Sequence, residues 1–267
     1  MPNILNEIVS NKRAEVAQRK RERAETSLAQ SVTAGDGSFL KAIATTNELH
    51  LICELKPKSP SAGVLQAKPD LSKIISTYDQ FACGISVLTD AKYFGGSLDL
   101  LAQVSRNSKC PTLCKDFIID TYQCYEAREA GAQAALLIVK ILDDDTLYLL
   151  HHQIKQLKMT PVVEVQSEEE LVRALKVEPD VILINNRNLE TFEIDFATTE
   201  LLAPQIPDGV AKISASGVSE RSHIERLLPF CTNFLIGSSL MAAPDLKEKL
   251  AALTEAKPNQ KLVGGAT

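Results

Sequence analysis

The sequence predicts a single α/β domain, a (β/α)8 TIM barrel with an extra N-terminal helix, and three observations carry that expectation. From His50 onward, short β-rich runs alternate with longer amphipathic ones, and eight of the former can be counted. Their starts recur at intervals of roughly 20 to 35 residues, which suits a strand, a crossover helix and two loops. No Gly-x-Gly-x-x-Gly turn follows the first run, as it usually does in the alternative, an open doubly wound sheet. A chain of 267 residues is within the range of one such barrel.

The first 30 residues place Ile4, Leu5, Ile8, Val9 and Val16 at helical spacing among many charges, the pattern of one amphipathic helix. Its basic run, Arg19-Lys20-Arg21-Glu22-Arg23, has Glu15, Glu22 and Glu25 interleaved and reads as a solvated helix face rather than an RNA or membrane patch. We divide the one domain into a helical extension over 1–48, a barrel over 49–256 and a disordered tail over 257–267.

The expected strands cover 51–56, 84–88, 112–115, 134–139, 161–165, 181–185, 212–216 and 233–237. Helical patterns fill 71–81, 98–104, 122–130, 144–157, 168–176, 198–202, 220–228 and 246–253. Ser167 with Glu170 makes a capping box, and Asp143-Asp144-Asp145 opposes a helix dipole.

Composition narrows the function classes. A net charge of −5 argues against general nucleic-acid binding and leaves any anionic ligand to a few local cations. No apolar run approaches the roughly 18 residues of a membrane span. The start of the chain lacks the basic-then-apolar order of a signal peptide, so we expect a cytoplasmic protein, monomeric, with no membrane partner. The six cysteines form no Cys-x-x-Cys pair and read as reduced core residues. His50, His151, His152 and His223 lie at unrelated places in the pattern, which supports no metal site, and the adjacent pair reads as solvated helix surface.

In a barrel the carboxyl ends of the strands face the active site, and here those ends are charged. The first run finishes Glu54-Leu55-Lys56, the third Lys115-Asp116, the fifth Val163-Glu164-Val165 and the sixth Asn185-Asn186-Arg187. The strand period of two puts Glu54 and Lys56 on one face. These charges could serve as internal ion pairs, but so many desolvated ions in one small mouth are costly, which favours a functional reading. The last two strands end in Ser216-Gly217 and Gly237-Ser238. Small residues there let backbone N–H groups approach a phosphate, and a short helix starting near Ser238 would add its positive end. The loop Pro57-Lys58-Ser59-Pro60-Ser61-Ala62-Gly63 reads as a lid, and Phe94 beside Gly95-Gly96 either contacts a planar ligand or is loop packing.

Several segments, taken in order along the chain, carry a further signal. They are Glu54-Leu55-Lys56-Pro57-Lys58-Ser59-Pro60-Ser61-Ala62-Gly63, Leu88-Thr89-Asp90-Ala91-Lys92-Tyr93-Phe94-Gly95-Gly96-Ser97 and Lys115-Asp116-Phe117-Ile118-Ile119-Asp120. Val163-Glu164-Val165, Ile184-Asn185-Asn186-Arg187-Asn188-Leu189 and Ile236-Gly237-Ser238-Ser239-Leu240-Met241 follow, and together these segments resemble the indole-3-glycerol-phosphate synthase family of tryptophan biosynthesis over nearly the whole chain.

The resemblance implies a carboxy-lyase that closes the ring of carboxyphenylamino-deoxyribulose phosphate without metal or organic cofactor. It implies catalytic roles for Glu54, Lys56, Lys115, Glu164, Asn185 and Ser216, with Lys115 as the general acid and Glu164 as acid or base in the loss of water. Ser59, Phe94, Phe117, Arg187 and Leu189 would bind the substrate, and Lys56, Ser216, Gly217, Gly237 and Ser238 would take its phosphate. It also leaves room for contact with other enzymes of the tryptophan pathway. Three positions depart from the family's usual pattern: Ala215 stands where glutamate is usual, Asn188 where aspartate is, and Cys114 where arginine is common. The chain has no tryptophan, so an aromatic contact from the leading helix is lost or replaced. Two rivals share the fold: an Amadori-type sugar-phosphate isomerase, which needs an Asp/Cys-like acid-base pair, and a barrel that only binds.

Overall fold

The computed structural model describes residues 4–44, 48–59, 63–64, 70–189 and 191–255, and backbone alone at Ser59 and Val64. The expected tail at 257–267 and the loop residues Pro60, Ser61 and Ala62 lie outside the described residues.

Eight parallel strands close on themselves: β1 (His50–Leu55), β2 (Ala82–Leu88), β3 (Thr112–Lys115), β4 (Ala134–Ile138), β5 (Thr160–Val165), β6 (Val181–Asn185), β7 (Ala211–Ala215) and β8 (Asn233–Ile236). Closure is direct, since β1 pairs with β8 through Ile52 and Leu235 and with β2 through Glu54 and Ser86. This is the TIM-barrel fold that the alternation predicts. Strand β1 ends one residue early and leaves Lys56 beyond it, while β7 stops at Ala215 because Ser216 turns left-handed, at φ 68°.

The strand period sorts side chains into two cores. Ile52, Leu113, Leu136, Val162, Leu183, Ile213 and Leu235 fill the barrel interior, whereas Cys53, Leu55, Val87, Leu137, Val163 and Ile184 pack outward under the helices. Side-chain caps set most helix starts: Asp70, Asp90, Ser97, Asp120, Asp143, Ser167 and Asp245 each accept a backbone N–H of the first turn. At Ser167 only half of the expected capping box forms, because the Glu170 carboxylate takes the N–H of Gln166 at 2.7 Å instead.

The leading segment corrects the expectation of one helix. Three helices occur, Ile4–Glu22, Glu25–Ser31 and Ser38–Ile43. They run from the mouth of the barrel to its base, where Gly35 bonds the Leu157 carbonyl and Phe39, fully buried, packs against Gly84. Nor is the basic run merely solvated. Arg19 meets Glu126 at 2.7 Å, Lys20 meets Asp120 at 2.6 Å and Arg23 meets Glu129 at 2.8 Å, so it docks onto the helix Thr121–Glu129.

Among the histidines, His151 also departs from expectation. It is 5% exposed on the helix Asp144–Gln156, with its Nε2 unpartnered, because its face of that helix packs inward with Leu147, Leu150 and Ile154. The cysteines are free, and Cys53, Cys114, Cys124 and Cys231 are buried.

Candidate active site

The carboxyl ends of the strands open into a cavity of about 400 Å³. Inward-facing positions at the tops of β1, β3, β5 and β6 bring Glu54, Lys115, Glu164 and Asn185 to its wall, and Lys56 and Arg187 join them from the first residues after the strands. Glu54 and Glu164 are 4% and 2% exposed, so both carboxylates are held out of bulk water.

Their partners are specific. Lys56 Nζ lies 2.8 Å from Glu54, and Lys115 Nζ lies 4.0 Å from Glu164 Oε2. Asn185 Nδ2 donates to Glu164 Oε1 at 2.9 Å, while its own carbonyl accepts the Arg187 N–H at 3.0 Å. Glu164 is thereby fixed through one oxygen, and the buried Oε2 is left without a hydrogen bond. Burial pushes the Glu54 carboxyl upward, but the Lys56 and Lys115 ammonium groups outweigh it and hold Glu54 below its ordinary value.

One side of the cavity is apolar. Phe94 ends the short helix Ala91–Phe94 and stands 6.0 Å from Phe117, ring to ring, with both rings and Leu189 on the cavity wall. Phe94 is thus both at the cavity and packed against its neighbour. Ser216, Gly217, Gly237 and Ser238 line the same cavity, and the helix Ser238–Met241 starts where expected. Ala215 faces the same space at 3% exposure.

Ser59 lies in the two-residue strand Lys58–Ser59, which pairs antiparallel with Gly63–Val64. This hairpin leans on the next loop, where Lys58 Nζ donates to the Lys92 carbonyl at 3.3 Å. The side chain of Ser59 is outside the description.

Sequence reasoning missed the roof. Ile4, Leu5 and Ile8 of the leading helix line the cavity, taking the place where an aromatic contact was sought, and Phe192 and Ile194 line it from the loop after β6. It also missed Lys12, 1% exposed, whose ammonium lies 3.0 Å from Asp90, 2.9 Å from Asp116 and 3.0 Å from Glu15. Asp90 caps the helix that ends in Phe94, and Asp116 follows Lys115, so one buried cation ties the roof to two walls of the cavity.

Solved structures with this fold include 3-hexulose-6-phosphate synthase from Salmonella typhimurium, at TM-score 0.63 and 12% identity over 78% of this chain and 98% of that one. A mutant tryptophan synthase alpha-subunit from Pyrococcus furiosus gives 0.60 and 16% over 78% and 99%. These likenesses speak to fold alone. Among curated relatives, "Tryptophan biosynthesis protein TrpCF" of Helicobacter pylori is 41% identical over 248 residues, covering 93% of this chain and 54% of the relative. The protein of the same name from Vibrio parahaemolyticus is 40% identical over 257 residues, covering 95% and 53%. The chain therefore spans about half the length of these curated relatives. The family described as "Indole-3-glycerol phosphate synthase" matches residues 5–253, nearly the whole described fold, and the chain belongs to that family.

Proposed function

We propose that the chain is an indole-3-glycerol-phosphate synthase: it closes the ring of carboxyphenylamino-deoxyribulose phosphate and releases carbon dioxide and water in tryptophan biosynthesis. Family membership and the relatives' printed name support this, and one geometric observation carries it. An ammonium from β3 and a carboxylate from β5 converge at 4.0 Å in a cavity that the pair of glycine turns also lines.

The chemistry follows from that layout. Attack of the aromatic carbon on the ketone leaves charge developing on the carbonyl oxygen, and the Lys115 ammonium stabilises and protonates it. Phe94, Phe117 and Leu189 wall the anthranilate ring under the roof of Leu5 and Ile8, which expels water and presses the reacting atoms together. Loss of carbon dioxide restores aromaticity. Glu164, held through Oε1 by Asn185, serves the loss of water with its other oxygen. Lys56 with Glu54 binds substrate anions and moves protons, Asn185 and Arg187 orient the substrate, and Ser216, Gly217, Gly237 and Ser238 seat the phosphate. Ser59 contributes from the hairpin. No organic cofactor or metal enters these steps.

We hold the protein to be a cytoplasmic monomer acting on a phosphorylated small molecule; among the described residues no helix is long and apolar enough to cross a membrane. A fluorescence assay for indole-3-glycerol phosphate tests the function. Product formation is expected, and tight binding of the phosphorylated substrate with no product would favour the binding-only barrel.

A further inference from the structure

Behind the turn that ends β7 lies a buried polar knot, and its centre is Asn186, 2% exposed. Its side-chain amide nitrogen lies 3.0 Å from Ser214 Oγ, 3.0 Å from the Ala215 carbonyl and 3.2 Å from the Ser216 carbonyl. Its backbone N–H donates to the same Ala215 carbonyl at 2.9 Å. The amide orientation is itself fixed, because the Thr199 hydroxyl donates to Asn186 Oδ1 at 2.7 Å and sits 2.8 Å from Ser214 Oγ.

Ser216 needs such a hold. It is a side-chain-bearing residue at φ 68°, a left-handed conformation that residues other than glycine rarely adopt without compensation. In a trans peptide the C=O and the following N–H point in opposite directions. The Ser216 carbonyl is drawn back onto Asn186, so the Gly217 N–H is turned the other way, to the cavity that Ser216 and Gly217 line, while the Ser216 N–H stays in the ladder toward β8, whose Leu235 pairs with Ala215.

We infer that Asn186 is the positioning residue of the phosphate seat: its buried amide holds the 215–217 backbone in the left-handed turn that aims the Gly217 N–H at an anion. It touches no substrate and acts through Ser216 and Gly217. The inference rests on the reading of that turn as the phosphate site.

The test is calorimetric titration of the full chain with inorganic phosphate and with sn-glycerol 3-phosphate, alongside steady-state kinetics. Asn186→Ala weakens both anions by about tenfold, equivalent to about 1.4 kcal/mol, and raises KM while kcat stays within about threefold. A residue that only stabilises the fold would lower the melting temperature and leave the affinity and KM of the folded protein unchanged. Thr199→Val, which frees the amide without emptying the site, gives a smaller loss of the same kind and serves if Asn186→Ala does not fold. In a Ser216→Gly background, where the left-handed turn costs little, the effect of Asn186→Ala shrinks. Wild-type chain that makes indole product, together with variants whose anion affinity and KM match it, overturns the inference and leaves the function standing. Wild-type chain that binds neither anion overturns the phosphate seat and the inference together.

Discussion

Lys115 Nζ lies 4.0 Å from Glu164 Oε2, although the two side chains come from strands separated by a third, β4. The separation is at the outer edge of an ion pair, and Glu164 Oε2 is buried without a hydrogen bond. A buried carboxylate oxygen left in that state is poorly explained as a device for stability, since a buried polar atom without a hydrogen bond is costly. It is well explained as a group waiting for substrate.

Replacing Lys115 by alanine removes the proposed acid while leaving the apolar wall and the phosphate seat in place. Turnover should fall by roughly three orders of magnitude or more with KM changed little, the signature of an interaction made mainly in the transition state. Single-turnover kinetics with the purified variant check this. A KM that rises while kcat holds would move Lys115 from chemistry to binding.

Gly237→Ala tests the junction of the two halves of the site. A Cβ at Gly237 would stand 2.3 Å from Glu54 Oε1 and 3.0 Å from Glu54 Cβ. The methyl group must therefore push Glu54 off its place and disturb the 2.8 Å pair with Lys56. A loss of kcat/KM of about 10- to 100-fold, with the fold intact by circular dichroism, is expected. Wild-type kinetics in this variant would mean that the Glu54 geometry is not needed.

The strand count, the closure and the inward set Glu54, Lys115, Glu164 and Asn185 were legible because period-two alternation in a parallel barrel leaves those side chains no other face. What was not legible depended on tertiary partners. The leading helix breaks after Glu22 with neither Gly nor Pro at the break; the Tyr122 hydroxyl, 3.2 Å from the Arg19 and Arg23 carbonyls, holds the turn. Ser216 looked like a strand residue, but its backbone is left-handed, with its carbonyl held by the amide of Asn186 from the end of β6. Lys12 did leave a signal, for it occupies the apolar row Leu5, Ile8, Lys12, Val16, yet nothing local revealed that Asp90 and Asp116 would meet it.

Lys12→Met should show what that buried cation holds. Burial opposes the charged form, but Asp116 and Asp90 outweigh it and raise the ammonium above its ordinary 10.5. A raised lysine contributes its stability in full below the unfolded value and loses it only as pH climbs through the folded one, so at neutral pH the whole contribution is present. Removing it strands the buried Asp90 carboxylate and weakens the hold on the partly buried Asp116, an expected destabilisation of about 3 to 5 kcal/mol by denaturant titration. A loss under about 1 kcal/mol would show that the carboxylates find other partners.

The last expectation concerns acid stability and His151. Burial, then the neighbouring Lys155, pull its imidazole from 6.5 down to about 4 against the opposing effect of Asp180, with His152 adding least. The unfolded chain therefore binds a proton on this side chain below pH 6.5 while the folded chain refuses it until about pH 4. Unfolding is favoured by acid across that window, and the cost accumulates to roughly 3 kcal/mol at its lower end. His151→Leu removes both the linkage and the unpartnered Nε2. Its melting temperature should exceed that of the wild type by a margin that widens from pH 7 to pH 4.5. Parallel curves for the two proteins would mean that the acid sensitivity of this barrel comes from its carboxylates, with His151 taking no part in it.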